Sequence, residues 1–219
     1  MQVPPEELEA FCNALARGDD QTCLDMVNSV VANGSSVERV YLAYLGSAAR
    51  MLGTWWEEDK ATFSEVTIGA GRIYAMLCAL RPTMIETVQP NAQHAAFVTV
   101  PGEQHFLGAT MAADMFRARG WEIDLYTGRT HEELIEALDR TDPAFIGLSA
   151  SSNRAVMPLV RLVVALRIGH PGSFIVVSGH IVDDDLDISD VTGADLFTSD
   201  LDVAFAEMQR LASEVKSFA

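Results

Sequence analysis

The spacing of apolar residues changes near residue 80, and this change limits the folds open to the chain. Before that point, apolar side chains recur at three- and four-residue intervals, as on one face of an α-helix. After Ala95, short β-branched runs alternate with helical segments, which is typical of a parallel sheet covered on both faces. We therefore predict an N-terminal four-helix bundle at residues 1–81 and a C-terminal α/β Rossmann-like (flavodoxin-like) parallel-sheet domain at 95–219, joined by a linker at 82–94.

Local signals support four helices in the first part. Pro4-Pro5 opens the first helix, and an Asp cap and a Ser cap open the second and third. Pro82 is expected to end the fourth, because proline cannot donate the helical hydrogen bond.

Charge and composition limit the partners. The chain carries 15 Lys+Arg against 31 Asp+Glu, a net charge of −16. Such a surface repels phosphate backbones, so we expect no direct binding to nucleic acid. It does not exclude a basic protein partner, including one that itself binds DNA. Three cysteines without metal-like spacing, no signal peptide and no long uninterrupted apolar stretch predict a cytoplasmic protein without membrane association.

The predicted sheet brings three small-residue segments together. They are 101–105 ("PGEQH"), 149–151 ("SAS") and 178–180 ("SGH"), which follow the first, third and fourth predicted strands. A strand order of 2-1-3-4-5 would make these strands neighbours, and ligands of open parallel sheets bind outside the carboxyl ends of the strands. The sequence therefore predicts a ligand crevice at this edge.

His105 is the chemically distinctive residue of that edge. Imidazole is a good ligand for transition metals, and a carboxylate such as Glu103 can hold its other ring nitrogen. The usual dinucleotide and phosphate-loop glycine patterns are missing from "GEQHFLG". One His with one Glu makes half of a metal site, so the remaining ligands are expected to arrive with a cofactor.

These residues resemble a known signature. Glu103-x-His105-x-x-Gly108 is similar to the Asp-x-His-x-x-Gly motif of cobalamin-binding domains. The resemblance implies that His105 replaces the dimethylbenzimidazole of the cofactor as lower axial ligand of cobalt, and that the freed nucleotide tail lies between sheet and helices. It also implies cofactor contacts from Glu103, which stands where the family has Asp, and from these later residues: Gly108, Ser149, Ser151 and Gly179. His180 follows the fourth predicted strand and is a further candidate for contact with the nucleotide tail.

The first part of the chain extends the resemblance. A four-helix cap before such a domain is found in methionine-synthase-type and photoreceptor cobalamin modules. In the light-sensing members, a Trp-x9-Glu-His motif of the cap covers the upper face of the corrin. Here Trp55 and Glu65 match that spacing, but Val66 replaces the His. The whole chain looks most like the AerR/PpaA-type antirepressors, which lack a DNA-binding domain and act on a DNA-binding transcription repressor in response to light.

Several of these residues have ordinary alternatives. Trp55 and Trp56 suit a bundle core, and Ser149 and Ser151 suit strand-end hydrogen bonds. His180 suits a loop cap, and Gly108 suits close packing of helix on sheet.

The predicted function is that of a light-responsive, cobalamin-binding transcriptional regulator, which is not an enzyme and binds adenosyl-, methyl- or hydroxocobalamin. One alternative is a corrinoid methyl carrier for a methyltransferase, and another is a haem-based redox sensor. The upper axial ligand, the identity of the partner, the sign of regulation and the oligomeric state are left open.

Overall fold

The computed structural model describes residues 3–85, 93–182 and 192–217. The chain divides into two compact units, Met1–Thr87 and Val88–Ala219. Most of the predicted linker, residues 86–92, lies outside the described residues, as does the acidic run at 183–190.

The first unit is helical, as predicted. Its elements are α1 (Pro5–Arg17), α2 (Asp20–Ala32), α3 (Val37–Arg39), a π-helical segment (Val40–Leu45), α4 (Gly46–Glu57) and α5 (Phe63–Ile85). Because α3, the π-helical segment and α4 follow one another without a break, they form one helix, and the count of four is confirmed for residues 3–85. A buried core holds the unit together, with Tyr41 Oη donating to the Leu77 carbonyl at 2.6 Å.

The fourth helix does not end where the sequence predicts. Pro82 lies inside α5, which runs on to Ile85. A proline removes one backbone hydrogen bond, but with so little helix left the remaining residues keep their helical conformation. The expectation that Pro82 stops the helix is therefore wrong, and residues 82–85 are helical.

Helix α5 is long and apolar enough to cross a membrane by length and composition alone. In this unit it contacts α1 and α4, and Arg72 at its middle pairs with Asp20 at 2.7 Å. These contacts are those of a bundle helix, and the expectation of no membrane association stays a prediction.

The second unit is a parallel sheet. Its strands are β1 (His94–Thr99), β2 (Glu122–Tyr126), β3 (Phe145–Ser149), β4 (Phe174–Ser178) and β5 (Leu196–Phe197). Its helices are α6 (Leu107–Ala118), α7 (His131–Thr141), α8 (Val156–Gly169) and α9 (Leu201–Ser217). The order β2-β1-β3-β4-β5, with every pair parallel, confirms the predicted 2-1-3-4-5 arrangement.

The helices form a layer on each face of this sheet. Helices α7 and α8 bury Leu138, Leu159 and Leu166 against one face. Helices α6 and α9 bury Phe116 and Met208 against the other, where aromatic rings meet edge to face around Trp121. Thr99, Ser149 and Ser178 end three neighbouring strands in register, so the segments that follow them share one edge.

Candidate functional site

The turn after β1 gives Glu103 and His105 very different exposure. Val100 N–H donates to the Ser149 carbonyl at 3.1 Å, and Glu103 N–H donates back to the Val100 carbonyl at 2.9 Å. Gly102 takes φ +84° in this turn, a conformation that favours glycine. As a result, the Glu103 side chain is 4% exposed and the His105 side chain is 73% exposed.

Both oxygens of the Glu103 carboxylate are used. Its Oε1 accepts from the His105 backbone N–H at 2.9 Å and lies 2.7 Å from His105 Nδ1. Its Oε2 accepts from the Ser151 backbone N–H at 2.8 Å and from Ser151 Oγ at 2.6 Å. The carboxylate therefore links the turn after β1 to the turn after β3.

These bonds keep Glu103 ionised. Burial raises the pKa of a carboxyl group, but the hydrogen bonds from Ser151 and His105 outweigh it and lower the pKa of Glu103 to about 2. An ionised carboxylate only accepts, so the network assigns a proton to His105 Nδ1. That tautomer leaves the Nε2 lone pair available for a metal ion on an exposed imidazole.

The donor set fits a metal that brings its own ligands. Within residues 3–85, 93–182 and 192–217, no three His, Cys, Asp or Glu side chains are grouped so as to hold a metal ion. His105 alone would hold a bare ion weakly. A macrocyclic cofactor brings most of the metal's ligands with it and would need only one nitrogen from the protein, and the exposed His105 imidazole offers one.

Gly179 has a structural role that the sequence did not reveal. Its φ is +101°, and a Cβ there would lie 2.2 Å from the Ala150 carbonyl oxygen. Ala150 N–H donates to the Ser178 carbonyl at 3.0 Å, so the turns after β3 and β4 touch at this point. Only glycine allows this approach, which sets the position of Ser151 beside Glu103.

Gly108 is different. It is the second residue of α6, it is exposed, and a Cβ there would meet no atom within 4 Å. The alternative that Gly108 permits close packing of helix on sheet is therefore wrong for the described structure. The open space suits the cofactor contact that the resemblance implies.

Ser149 and His180 are the other predicted residues of this edge. Ser149 is the last residue of β3, and its carbonyl accepts the Val100 N–H. His180 is exposed and opens the short 3₁₀ turn His180–Val182. Their contact with a cofactor stays a prediction.

A cavity borders Glu103 on the β2 side. Its volume is about 530 Å³, and it is lined by residues 101–104 and 128–131. Sequence reasoning did not single out Gly128, Arg129 and Thr130, which line this cavity. Gly128 takes φ +65° and Thr130 forms a capping box with Glu133, so a turn and a helix start follow β2 here.

In the helical unit, Arg17 joins the two predicted cap residues. Its guanidinium lies 5.9 Å from the centre of the half-buried Trp55 ring, and its Nε donates to Glu65 Oε1 at 2.7 Å. Glu65 Oε2 also accepts from the Thr62 backbone N–H at 2.7 Å, which completes a capping box at the start of α5. The Thr62 backbone bond and the Arg17 bond lower the pKa of Glu65 to about 2.

These contacts give Glu65 a structural role, and sequence reasoning missed Arg17, which lies 48 residues away. The exposed neighbour Trp56 takes no part in the described cluster. The predicted cofactor contacts of Trp55 and Glu65 stay predictions.

Glu103→Gln tests the buried carboxylate. The folded-state pKa of Glu103 is about 2 against an ordinary value of 4.5, so its ionisation stabilises the fold above pH 4.5, and this contribution is lost as the pH falls toward 2. We expect Glu103→Gln to lower the free energy of unfolding by about 2–3 kcal/mol at pH 7 and to flatten the acid limb between pH 4.5 and 2. Urea unfolding at several pH values measures both effects. Glu132→Gln, at an exposed position on α7, is the control, and an identical pH profile for Glu103→Gln and wild type would contradict the role of the carboxylate.

Comparison with known families agrees with this geometry. One family model described as "B12 binding domain" matches residues 93–200, and a second with the same description matches residues 7–81. The two matches cover the sheet unit and the helical unit respectively.

A curated relative and two solved structures are similar over most of the chain. The relative is the uncharacterized 20.5 kDa protein in the bchF–crtJ intergenic region of Rhodobacter capsulatus, 30% identical over 177 residues that cover 78% of this chain and 91% of the relative. The monomethylamine corrinoid protein of Methanosarcina barkeri has a TM-score of 0.76 at 17% identity, covering 96% of this chain and 98% of that one. A cobalamin-binding protein of Desulfitobacterium hafniense has a TM-score of 0.50 at 17% identity, covering 93% and 97%. The chain therefore belongs to the B12-binding domain family and, within it, to the cobalamin-binding proteins of the AerR/PpaA type.

Proposed function

We propose that this protein is a light-responsive, cobalamin-binding transcriptional regulator, an antirepressor that acts through a DNA-binding repressor protein in the cytoplasm and has no catalytic turnover of its own. The observation that carries the proposal is the Glu103–His105–Ser151 network at the carboxyl edge of the sheet. It offers one imidazole nitrogen in a fixed orientation. A cobalt ion that is already bound by the corrin ring would need only one such nitrogen from the protein.

Each residue of this edge has a part in the proposed binding. His105 Nε2 is the lower axial ligand, and Glu103 fixes the ring and its tautomer through Nδ1. Ser151 holds Glu103, Gly179 holds the Ser151 turn, and Gly108 leaves space at the start of α6. Adenosyl- or methylcobalamin, when bound, would supply a cobalt–carbon bond that light can break.

The regulatory part of the proposal rests on the relative and on charge. The R. capsulatus relative is encoded in the bchF–crtJ region, a photosynthesis gene cluster. The net charge of −16 disfavours direct binding to DNA and leaves a protein partner as the route to transcription. A change at the cofactor can alter partner binding only if the two cofactor states differ in affinity for the two protein states.

Reconstitution with adenosyl-, methyl- and hydroxocobalamin tests the proposal. We expect at least one form to bind with its dimethylbenzimidazole displaced and His coordinated, and its absorption spectrum to change on illumination. In the source organism, His105→Ala on the chromosome should remove the light–dark difference in photosynthesis transcripts. The proposal of a light sensor would be contradicted if the spectrum of the bound cofactor did not change on illumination and the photosynthesis transcripts did not differ between light and darkness.

A corrinoid methyl carrier is the second candidate, favoured by the fold shared with the M. barkeri monomethylamine corrinoid protein. The experiment is the spectrum of the bound cofactor after addition of a methyl donor and its methyltransferase in darkness. Methylation and demethylation in the dark would favour the carrier. The same preparations would reveal haem by its Soret band.

A further inference from the structure

The outer face of α8 carries an exposed row of apolar and basic side chains. Met157, Val164 and Ile168 are 60%, 50% and 79% exposed. Arg161 is exposed between them, and Arg154 is exposed in the short 3₁₀ turn Asn153–Ala155 that leads into the helix. The spacings from 157 to 168 are four, three and four residues, which keep these four side chains on one side of α8, and Arg154 precedes Met157 by three residues.

This row is not the edge of the core. The opposite side of α8 buries Leu159, Leu162, Val163 and Leu166 against the sheet. The described part of the sheet unit exposes five large hydrophobic side chains, and three of them are in this row. A three- and four-residue repeat of this kind is the pattern with which one helix packs against another.

The charge of this face is opposite to that of the chain. Residues 153–170 contain three Arg and no Asp or Glu, whereas the whole chain has a net charge of −16. Within the described residues, Arg154 and Arg161 have no hydrogen-bond or ion-pair partner, while Arg167 is bonded to Asp195. The acidic side chains near the end of α8, Asp139 and Asp142, are bonded to His170. In the described part of the chain, the row therefore presents two positive charges without an ion-pair partner among apolar side chains.

We propose that this row, defined as Arg154, Met157, Arg161, Val164 and Ile168, is a docking surface for an amphipathic helix of a partner protein that carries acidic residues beside its apolar stripe. Apolar side chains of that helix cover Met157, Val164 and Ile168, and its carboxylates pair with Arg154 and Arg161. The surface needs no cobalamin, so it is independent of the proposed function. Should the occupant belong to a DNA-binding repressor, it is a helix other than the basic one that would contact DNA.

Charge disfavours the other occupants. Arg161 is the central residue of the row, so antiparallel pairing with a second copy of α8 would place Arg161 against Arg161. An anionic lipid surface is wider than this one row and would also face the acidic remainder of a protein of net charge −16. A single acidic helix needs to contact only the row itself.

Two labelled peptides test the surface. Each has about three heptads with Leu at positions a and d. One carries Glu at e and g, the other Lys, so that like charges keep each peptide from pairing with itself. Fluorescence anisotropy with the whole chain should show saturable binding of the Glu peptide, tighter by about tenfold or more than that of the Lys peptide.

Variants make the test specific. Arg154→Glu with Arg161→Glu should reverse the preference between the two peptides, and Val164→Ser with Ile168→Ser should abolish binding of both. All four side chains are exposed, so circular dichroism should show an unchanged fold. The proposal would be overturned if the two peptides bound equally or if neither bound. It would also be overturned if a second copy or the chain's own helical unit occupied the row. Sedimentation velocity of wild type against the Val164→Ser, Ile168→Ser variant detects the second copy, and protection of Met157 from oxidation detects the helical unit.

Discussion

Replacing His105 by Ala is expected to lower the affinity for cobalamin by about 100-fold or more, since loss of residues that merely orient metal ligands costs 10–100-fold. The physical reason is that the replacement removes the imidazole nitrogen that the proposed function assigns to cobalt, and alanine has no donor atom in its side chain. Any cofactor that still associates should keep its own dimethylbenzimidazole on cobalt. Titration followed by absorption spectroscopy measures both the affinity and the axial ligand.

His94→Ala is the matched control for the loss of an imidazole. His94 begins β1, at the amino end of the strand that His105 follows, and bonds to Asp124 at 3.0 Å. Its removal should leave the spectrum of bound cobalamin unchanged. Free imidazole added to the His105→Ala protein should restore nitrogen coordination in part. Equal affinity and equal spectra for wild type and His105→Ala would eliminate His105 as the axial ligand.

The sheet could be predicted because its determinants are local. Alternation of β-branched runs with helical segments sets the elements, and the position of "PGEQH", "SAS" and "SGH" at strand ends indicates which edge binds a ligand. The end of α5 could not be predicted in the same way. Pro82 is a local stop signal, but it stands so near the end of a long helix that the following residues remain helical.

The candidate site could be predicted in part. Glu103 and His105 are two residues apart, so their contact is visible in the sequence, and Ser151 was found as a member of a strand-end segment. That Ser151 binds the carboxylate, and that Arg17 contacts Trp55 and Glu65, depends on approaches across about fifty residues of chain. A single sequence carries no signal for such pairs. The same reason hid the contact of Gly179 with Ala150.

Two glycines of this edge, Gly179 and Gly108, are expected to change the free energy of unfolding in opposite directions when each is replaced by alanine. Gly179→Ala puts a methyl group 2.2 Å from the Ala150 carbonyl oxygen at φ +101°. We expect the free energy of unfolding to fall by about 2–5 kcal/mol, from backbone strain and from the forced movement of the turn after β3. Cobalamin binding should weaken as well, because Ser151 in that turn positions Glu103 and thereby His105.

Gly108→Ala is the counterpart. Its Cβ meets no protein atom within 4 Å and lies in a helix, where alanine is favoured over glycine, so stability should hold or rise by up to about 1 kcal/mol. Binding should nevertheless fall, because the methyl group occupies the space that the resemblance gives to the cofactor. Urea unfolding and cobalamin titration of both variants separate the two effects. If the Gly108→Ala protein is stable and binds cobalamin like wild type, the start of α6 does not touch the cofactor. If the Gly179→Ala protein is as stable as wild type, the turns after β3 and β4 are not held together as described.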